Sequence, residues 1–379
     1  MSYVFLVIIG IYSGLIAFAT IIWTKITAEK VPLPKRNPGL LSIVIPVRNE
    51  ALNIEKLLTA IAAQNFSPSL FEVIVVDDHS EDDTKSIINS FNSPFQLKYF
   101  FLPEINVLPG GTRTGKKQAI SQGVLQAKGE IIITTDADCF MDKEWLQSIY
   151  NYFESYDAQM LVGSVTFEEE ETFFDKLQTL EFAALIGSGA VALKIGKPNM
   201  CNGANLAFTK KAFEEVRGYE GNEHIPSGDD EFLLQKIYEQ YPKAVYFNSS
   251  KNGLVYTKPA KKLNTFINQR RRWGGKWKLH KSLSVQILAL AIFLFHSVFI
   301  GCLIAALNGT FELYAFATGF LIKASVEFIF LKKILERFEK PTFFKQFVVL
   351  QCLYSFYVIV FGILVNFGSF NWKGRKYKN

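Results

Sequence analysis

Residues Glu130 to Cys139 read EIIITTDADC, an apolar run that ends in two carboxylates one residue apart. Three consecutive isoleucines without polar alternation predict a strand that is buried on both faces. Asp136 and Asp138 then fall at the carboxyl end of this strand, where open α/β sheets bind their ligands. Two hard oxygen ligands suit Mg²⁺ or Mn²⁺ holding a diphosphate, and the alternative is a solvated loop with two surface aspartates.

Around this strand the chain alternates strands and helices. Strands are predicted at residues 41–46, 71–77, 97–102 and 130–135, and helices at residues 53–64, 84–91 and 116–127. This rhythm is typical of a parallel, doubly wound sheet. The predicted fold class is therefore α/β, in a soluble domain over residues 41–264.

Four apolar stretches flank this domain, and each is long enough to cross a bilayer. They lie at residues 4–23, 285–307, 311–331 and 347–367, and Lys323 and Glu327 weaken the third as a membrane span. Basic residues follow the first stretch directly, which reverses the charge order of a secretory signal peptide. The first stretch is therefore predicted to be a retained anchor with its C-terminal side in the cytoplasm.

The predicted segments follow one another along the 379 residues of the chain. They are a transmembrane helix over residues 1–24, the cytoplasmic domain 41–264, an interfacial basic and aromatic segment 265–283, membrane segments 284–370 and a basic tail 371–379. If all four stretches cross, the tail ends outside, although basic tails prefer the cytoplasm. Either one of the last three stretches is re-entrant or interfacial, or the tail breaks that rule.

Composition excludes several classes of site. The four cysteines and four histidines have no metal-ligand spacing, so no zinc site is predicted. The net charge of +6 is modest and the basic residues concentrate beside the apolar stretches, which favours anionic lipid headgroups over nucleic acid as a partner. Nothing in the composition predicts an oligomeric state.

Two further loops at strand ends carry polar residues. The sequence PVRNE at residues 46–50 follows the first strand, and DDHSEDDT at residues 77–84 follows the second. Ser80, Asp82 or Asp83 can be explained as caps of the next helix. The pair Asp77 and Asp78 is not explained in that way, and a carboxylate there can accept hydrogen bonds from uracil or ribose.

Lys116 stands just before a predicted helix, after Gly115. A cation and free backbone donors at a helix start can bind phosphate. The alternative is an ordinary charged helix start.

These motifs together resemble, in order, those of the membrane-associated family-2 inverting glycosyltransferases, whose nucleotide-sugar domain has the GT-A fold. The resemblance covers more than half of the chain. The matching residues are Ile43 to Pro46 with Asn49 and Glu50, Val75 to Ser80 with Asp82 and Thr84, Gly115 and Lys116 with Ala119, Asp136 to Asp138, Gly203 with Asn205, Ser227 to Glu231, and Gln269 to Trp273.

The resemblance implies a role for each matched position. The residues implied in binding the nucleotide sugar are Pro46, Arg48, Glu50, Asp77, Asp78, Lys116 and Asp136. Asp138, with Asp136, is implied to hold a divalent cation, Mg²⁺ or Mn²⁺. The residues implied to contact the acceptor or the diphosphate are Gly203, Asn205, Gln269, Arg272 and Trp273.

The resemblance also implies a general base at Asp229 or Asp230. Family members show a leucine three residues after the base, a basic residue six after it and an apolar residue seven after it. Counting from Asp230 gives Leu233, Lys236 and Ile237, so Asp230 is predicted to be the base, with Asp229 in the place of the family's Glu. The structural alternative is that both carboxylates cap a helix.

Two segments are expected to link the site to the membrane. Residues 172–195 are apolar with few charges and predict either an interfacial helix or a core helix. Residues 261–281 contain the Gln-x-x-Arg-Trp motif among basic and aromatic residues, although a positive cytoplasmic flank alone explains arginines there. Arg270 and Arg271 are expected to contact lipid headgroups.

The function implied is that of an integral-membrane, metal-dependent inverting hexosyltransferase in cell-envelope glycan synthesis. It is expected to move a sugar from a nucleotide-sugar donor, expected to be a UDP-sugar, to a membrane lipid or lipid-linked glycan. The expected location is a bacterial inner membrane, with the catalytic domain in the cytoplasm.

Two alternatives stay open at this point. A processive polysaccharide synthase also fits the Gln-x-x-Arg-Trp motif, but only three apolar stretches follow the domain to build a translocation channel. A non-catalytic membrane scaffold that keeps the nucleotide-sugar fold is the other alternative. Intact carboxylates at all three expected sites count against such a scaffold.

Overall fold

The computed structural model describes residues 2–32, 34, 39–103, 115–223, 225, 227–276, 282–367, 369–372 and 375–378. The chain divides into two compact units. The sheet unit comprises Glu29–Glu168 and Ala192–Lys258, and the helical unit comprises Met1–Ala28, Glu169–Val191 and Pro259–Asn379.

Helices and strands alternate through the first half of the chain, as predicted. The described helices are α1 Ser2–Ala28, α2 Ile54–Ala62, α3 Thr84–Ser90, α4 Lys116–Gln126, α5 Trp145–Tyr156, α6 Phe173–Lys194, α7 Lys210–Glu215, α8 Asp229–Gln240, α9 Leu263–Gly274, α10 Leu283–Leu307, α11 Leu313–Arg337 and α12 Phe344–Leu364. The described strands are β1 Leu41–Val47, β2 Phe71–Asp77, β3 Gln96–Phe101, β4 Ile131–Thr134, β5 Phe140–Met141, β6 Met160–Gly163, β7 Val165–Phe167, β8 Leu206–Thr209, β9 Val245–Asn248, β10 Val255–Thr257, β11 Ser369–Trp372 and β12 Arg375–Lys378.

A seven-stranded sheet forms the centre of the sheet unit, in the order β3-β2-β1-β4-β8-β6-β9. The strands β3, β2, β1 and β4 run parallel, whereas β8 is antiparallel to both of its neighbours, β4 and β6. The strands β5, β10 and β7 form a second, three-stranded sheet. The predicted α/β class, with a Rossmann-like mixed sheet, is confirmed.

The apolar strands are buried on both faces because helices pack on them. Every residue of β2 and β4 is buried. The helix α4 approaches β1 so closely that a Cβ at Gly123 would lie 2.3 Å from Cγ1 of Val44. Because β1, β2 and β4 run parallel, the loops after all three strands emerge at one edge of the sheet.

Glu72 lies at the opposite end of these strands and is fully buried. Its carboxylate pairs with Nζ of Lys98 at 2.6 Å and accepts hydrogen bonds from Oγ of Ser42 and the backbone N–H of Lys128. Burial raises the pKa of Glu72, but the bonds from Lys98 and Lys128 outweigh burial, so the net shift is downward. The charges of Glu72 and Lys98 therefore neutralise each other at this end of the sheet.

Four described helices of the helical unit are long and apolar enough to cross a membrane. They are α1, α10, α11 and α12, which correspond to the four predicted apolar stretches. The helix α11 packs closely on α1, since a Cβ at Gly319 would lie 2.5 Å from the ring of Phe5. These helices indicate an integral membrane protein.

Two charged residues near the middle of α11, Lys323 and Glu327, pair with each other. Lys323, which is 1% exposed, lies 2.8 Å from Oε1 of Glu327 and donates to Oε1 of Gln351 at 3.0 Å. Gln351 donates in turn to Glu327 at 2.7 Å, and the hydroxyl of Tyr12 also donates to Glu327. The two charges that weakened this stretch as a predicted span thus form a polar network with α1 and α12.

The helix α6 packs as a core helix of the helical unit. A Cβ at Gly187 would lie 2.3 Å from Cδ1 of Ile334, so α6 and α11 are in close contact. The amide of Gln178 exchanges two hydrogen bonds of 3.0 Å with the backbone of Ala260. Of the two alternatives for residues 172–195, these contacts match the core helix. The predicted soluble domain 41–264 therefore differs from the sheet unit, which does not include Glu169–Val191.

The C-terminal strands β11 and β12 form an antiparallel hairpin, in which Phe370 stands opposite Tyr377. The stretch predicted as a basic tail therefore includes part of a hairpin.

Candidate active site

Lys116 begins α4 and lies between carboxylates of two other elements. Its Nζ is 2.6 Å from Oδ1 of Asp136, just after β4, and 3.5 Å from Oδ2 of Asp229, at the start of α8. Burial lowers the pKa of Lys116, but the charges of the two carboxylates outweigh burial and raise it. The ammonium is therefore charged at neutral pH, and three predicted site residues are in contact.

Gly203 completes this cluster. Its backbone N–H donates to Oδ2 of Asp230 at 3.0 Å, and its carbonyl accepts a hydrogen bond of 2.9 Å from Oγ1 of Thr134 at the end of β4. A Cβ at this position would lie 3.1 Å from Nζ of Lys116 and 3.2 Å from Oδ2 of Asp229. A side chain larger than hydrogen would therefore press on the ion pair.

Asp229 and Asp230 are held by different groups. Asp229 is 8% exposed and faces Lys116, whereas Asp230 accepts the N–H of Gly203 and, through Oδ1, the N–H of Glu231 at 2.8 Å. The N-cap residue of α8 is Gly228, with φ 76°, and Oδ1 of Asp230 accepts a first-turn N–H, so the structural alternative applies in part to Asp230.

The pattern counted from Asp230 has a structural explanation. Leu233 and Ile237 are fully buried in the core. Nζ of Lys236 donates to three backbone carbonyls between residues 216 and 220, at 2.8 to 3.2 Å. The helix that carries the carboxylates is thus fixed by its apolar face and by one basic side chain.

Asp136 and Asp138 lie in a turn that is closed by a hydrogen bond of 3.1 Å from the N–H of Cys139 to the carbonyl of Asp136. Asp138 is exposed, whereas Ala137 and Cys139 are buried. Burial raises the pKa of the Cys139 thiol, and the charges of the two aspartates raise it further, so the thiol stays protonated.

The donor set of this turn fits a hard divalent cation. Within the described ranges, no three His, Cys, Asp or Glu side chains are grouped to hold a metal. Asp136 and Asp138 nevertheless offer two hard oxygen ligands, and one cation, Lys116, faces three carboxylates, Asp136, Asp229 and Asp230. Mg²⁺ sites commonly use one or two carboxylates and take their other ligands from phosphates and water.

Asp77 and Asp78 differ in their partners. Asp77 is 1% exposed, and its carboxylate accepts hydrogen bonds from the N–H of Ser80 at 2.7 Å and the hydroxyl of Tyr99 at 2.9 Å. Oδ1 of Asp78 lies 3.2 Å from Nδ1 of His79. Nε2 of His79 is buried and has no hydrogen-bond partner among the described residues. Asp77 therefore orients the loop through bonds within the protein.

Arg48 and Glu50 brace the neighbouring loops. Arg48 donates to the carbonyl of Asp78 at 2.7 Å and to the next carbonyl at 3.2 Å. Glu50 is 7% exposed and accepts a hydrogen bond of 2.8 Å from Nδ2 of Asn53. Pro46 lies within β1. These contacts hold the loop after β2 against the loop after β1.

Two residues beside the predicted site have structural roles. Asp82 accepts the N–H of Thr84 at the start of α3 and the N–H of Ala51, at 3.1 and 3.0 Å. Lys117 donates to two backbone carbonyls at 2.7 and 2.9 Å, so it supports a loop, unlike Lys116.

Asn205 has a structural set of contacts. It is 2% exposed, and its Nδ2 donates to the carbonyls of Ser164 and Gly253, both at 2.8 Å. Its Oδ1 accepts a hydrogen bond of 3.1 Å from the indole of Trp145. The amide thus joins three parts of the sheet unit, and its contact with an acceptor stays a prediction.

Gln269, Arg272 and Trp273 belong to α9 of the helical unit. The ring of Trp273 stacks on Phe182 at 5.7 Å between centroids. The expectation that Arg270 contacts lipid headgroups is wrong, because its side chain is 4% exposed and pairs within the protein.

Sequence reasoning missed the partner of Arg270. Glu181, on α6, lies 2.6 Å from its Nη2. Glu181 is the only charged residue between Lys176 and Lys194 in an otherwise apolar stretch, and that isolation was a signal that a buried partner existed.

A mixed α/β sheet with carboxylates after β2, after β4 and at the start of α8 is the arrangement that the resemblance to glycosyltransferases of the GT-A fold implied. The family model of glycosyl transferase family 2 matches residues 42–217, and that of glycosyl transferase family group 2 matches residues 131–331, more than half of the chain. The chain belongs to family 2 of the glycosyltransferases, and its predicted class as a transferase is confirmed.

Several known proteins are similar to this chain. Glycosyltransferase AglE of Haloferax volcanii is 25% identical over 266 residues, which cover 67% of this chain and 79% of AglE. The poly-β-1,6-N-acetyl-D-glucosamine synthase of Staphylococcus epidermidis is 26% identical over 184 residues, which cover 47% of this chain but only 41% of the synthase.

The structure of mannosyltransferase PcManGT from Pyrobaculum calidifontis, in complex with GDP-Man and Mn²⁺, has a TM-score of 0.56 at 14% identity. That comparison covers 97% of this chain and 99% of the other, and it supports the fold.

Proposed function

We propose that this chain is an integral-membrane, metal-dependent inverting glycosyltransferase that moves a sugar from a UDP-sugar to a lipid or lipid-linked saccharide. One observation carries the proposal. Five residues from four separate motifs form one cluster, namely Lys116, Asp136, Gly203, Asp229 and Asp230. The cluster supports the proposal because it combines a cation, carboxylates and a backbone donor, the groups that transfer from a nucleotide sugar to an acceptor needs.

Asp230 is proposed to be the general base. The N–H of Gly203 holds its carboxylate, which can take the proton of an acceptor hydroxyl as that hydroxyl attacks the anomeric carbon. Attack and departure of the nucleoside diphosphate on opposite faces of the sugar give inversion in one displacement. Asp229, which faces Lys116, is proposed to position the ammonium instead.

Lys116 is proposed to face the diphosphate of the donor, where its charge stabilises the negative charge that builds on the leaving group. A divalent cation bound by Asp138 and Asp136 would add Lewis-acid stabilisation of the same diphosphate. Asp78 is proposed to contact the nucleoside, while Asp77, whose two oxygens accept bonds from the protein, orients the loop.

The remaining roles are proposed from the sequence motifs and not from contacts between the residues described above. Gln269, Arg272 and Trp273 are proposed to contact the diphosphate and the sugar because they match the family's Gln-x-x-Arg-Trp. A lipid acceptor is supported by the four helices that are long enough to span a bilayer. The basic residues that follow α1 support a protein that is anchored in a cell membrane and has its sheet unit in the cytoplasm.

A processive polysaccharide synthase is the second candidate. It is favoured by the similarity to the N-acetylglucosamine polymer synthase of Staphylococcus epidermidis, which extends over 47% of this chain. The two candidates predict products of different length from the same donor.

The test uses the purified full-length protein in lipid nanodiscs with a panel of UDP-sugars and GDP-sugars, membrane lipid extract and Mg²⁺ or Mn²⁺. We expect one UDP-sugar to give nucleoside diphosphate release that depends on the lipid extract, with a single sugar added to a lipid. GDP-sugars are the comparison arm because PcManGT binds GDP-Man. Release from none of these donors contradicts the proposal, and a polymeric product selects the synthase.

A further inference from the structure

The charged residue at the second position of the motif, Arg270, is buried in the helical unit. Its Nε lies 3.1 Å from both carboxylate oxygens of Glu181, and its Nη2 lies 2.6 Å from Oε2. Its remaining Nη1 donates to the side-chain oxygen of Gln269 at 2.7 Å. The guanidinium therefore fixes the side chain of one motif residue directly and is itself fixed by a carboxylate on α6.

Aromatic rings enclose the same guanidinium. Its carbon lies 4.4 Å from the centroid of Trp273 and 4.5 Å from that of Phe266. The ring of Trp273 also stacks on Phe182, at an interplanar angle of 24°. A second motif residue is thus held between a cation and an aromatic ring.

The helix α12 joins this arrangement through Tyr357. The hydroxyl of Tyr357 donates to Oε1 of Glu181, and its ring lies 6.3 Å from that of Phe266. At the end of α9, a Cβ at Gly274 would lie 2.7 Å from Cγ1 of Val365, so α9 and the residues after α12 are in close contact. One carboxylate therefore connects α6, α9 and α12.

We propose that Glu181, Arg270 and Tyr357 are positioning residues, which fix Gln269 and Trp273 in one orientation for glycosyl transfer. This inference rests on the proposed function. Glu181 and Arg270 are 9% and 4% exposed in their side chains, so neither is placed to bind a ligand from solvent. Their effect on transfer is through the motif residues that they hold.

The test compares Glu181→Gln with a matched control, Glu170→Gln. Glu170 also forms a half-buried ion pair in the helical unit, with Lys340 at 2.8 Å, and it contacts none of the motif residues in the described structure. We expect Glu181→Gln to lower kcat by about a hundredfold with an unchanged donor Kd, because a small misplacement of a site group costs about that much. Glu170→Gln should keep its kcat, and Tyr357→Phe should show a smaller loss than Glu181→Gln.

A double variant separates positioning from folding. Glu181→Gln with Arg270→Gln removes both charges, so no buried charge is left unpaired, and the melting temperature should recover towards that of the parent. Positioning predicts that kcat stays low in this variant. Recovery of kcat together with stability, or an equal loss of kcat in Glu170→Gln, overturns the inference.

Hydrogen exchange gives a readout that does not need turnover. The backbone amide hydrogens of residues 263–274 should exchange faster in Glu181→Gln than in the parent. In Glu170→Gln they should exchange at the rate of the parent. Unchanged exchange in Glu181→Gln contradicts the positioning role even if the parent transfers no sugar, whereas a parent without activity contradicts only the proposed function.

Discussion

Lys116 in the sheet unit and Arg270 in the helical unit are both cations that face carboxylates, but their surroundings differ. Lys116 and Asp136 are 18% and 35% exposed in their side chains, and among the residues that the structure describes the cluster contains more carboxylates than cations. Arg270 and Glu181 are 4% and 9% exposed, and each neutralises the other.

The difference shows how charge is used in each unit. Carboxylates that outnumber the cations described near them and lie within reach of solvent can bind a further cation or take up a proton. A buried ion pair whose two charges are equal and opposite has no net charge with which to bind a ligand, and instead it restricts how helices pack. Variants at the first kind of group should therefore change turnover directly, and variants at the second kind should change the local structure, and turnover only through the residues that the pair positions.

The largest effect is expected for Asp230→Asn. The amide oxygen can still accept the N–H of Gly203, but it cannot take a proton, so transfer should fall by about ten thousandfold while donor binding persists. Turnover and donor Kd of the purified variant check this. Asp229→Asn is the matched control and should retain measurable activity, and the reverse ranking would move the base to Asp229.

Asp138→Asn should lower divalent-dependent turnover by on the order of a thousandfold, because a ligand of the leaving-group cation is lost. The residue is exposed, so the melting temperature should not change. Metal titration of the initial rate measures the effect. Parent activity that is undiminished in chelator would refute the metal assignment.

Trp273→Ala should lower kcat by about thirtyfold, equivalent to roughly 2 kcal/mol, since the stacked ring and its contact with Arg270 are lost. The control is Lys262→Gln, because Lys262 is exposed and removal of its charge tests a purely topological role. Equal losses of kcat in the two variants would remove the support for the motif.

The smallest effect concerns Glu72, a balanced group inside the sheet unit itself. Glu72→Gln loses the pairing with Lys98 and should lower the melting temperature by about 2–8 °C at pH 7, for a loss of about 1–2 kcal/mol.

The pKa of Glu72 gives this variant a defined pH dependence. Its folded pKa is below the unfolded value of about 4.3, so the stabilisation is present above that pH and is lost as the pH falls through the folded pKa. The difference in melting temperature should therefore narrow below about pH 4.3. A difference that widens on acidification would contradict the assignment.

The parts of the fold that were predictable are those that local pattern determines. The apolar runs of β1, β2 and β4 can only be buried strands, and parallel strands bring their following loops to one edge. This is why Asp136 and Lys116 could be expected in one site. The antiparallel insertion of β8 between β4 and β6 could not be foreseen, because strand pairing between distant segments leaves no periodic signal.

The motifs also did not show whether a side chain forms contacts within the protein. Asp77 and Asn205 match family positions, and both also form hydrogen bonds inside the sheet unit, while their contacts with a substrate stay predictions. Glu181 matches no motif, and it lies 89 positions from Arg270 along the chain. Whether a polar residue serves a ligand or the fold is decided by its neighbours in space, which the sequence does not list.

The ion pair inside α11 has a consequence for how the protein is made. A single charge at the centre of an inserting helix costs about 2.5–3.5 kcal/mol, and Lys323 and Glu327 stand one turn apart, where they can neutralise each other before any partner helix arrives. Gln351 is translated later, so its bonds to both residues form only once α12 has emerged. If α11 and α12 insert together as one helical hairpin, Lys323 and Glu327 enter the bilayer with their hydrogen bonds to Gln351 already able to form.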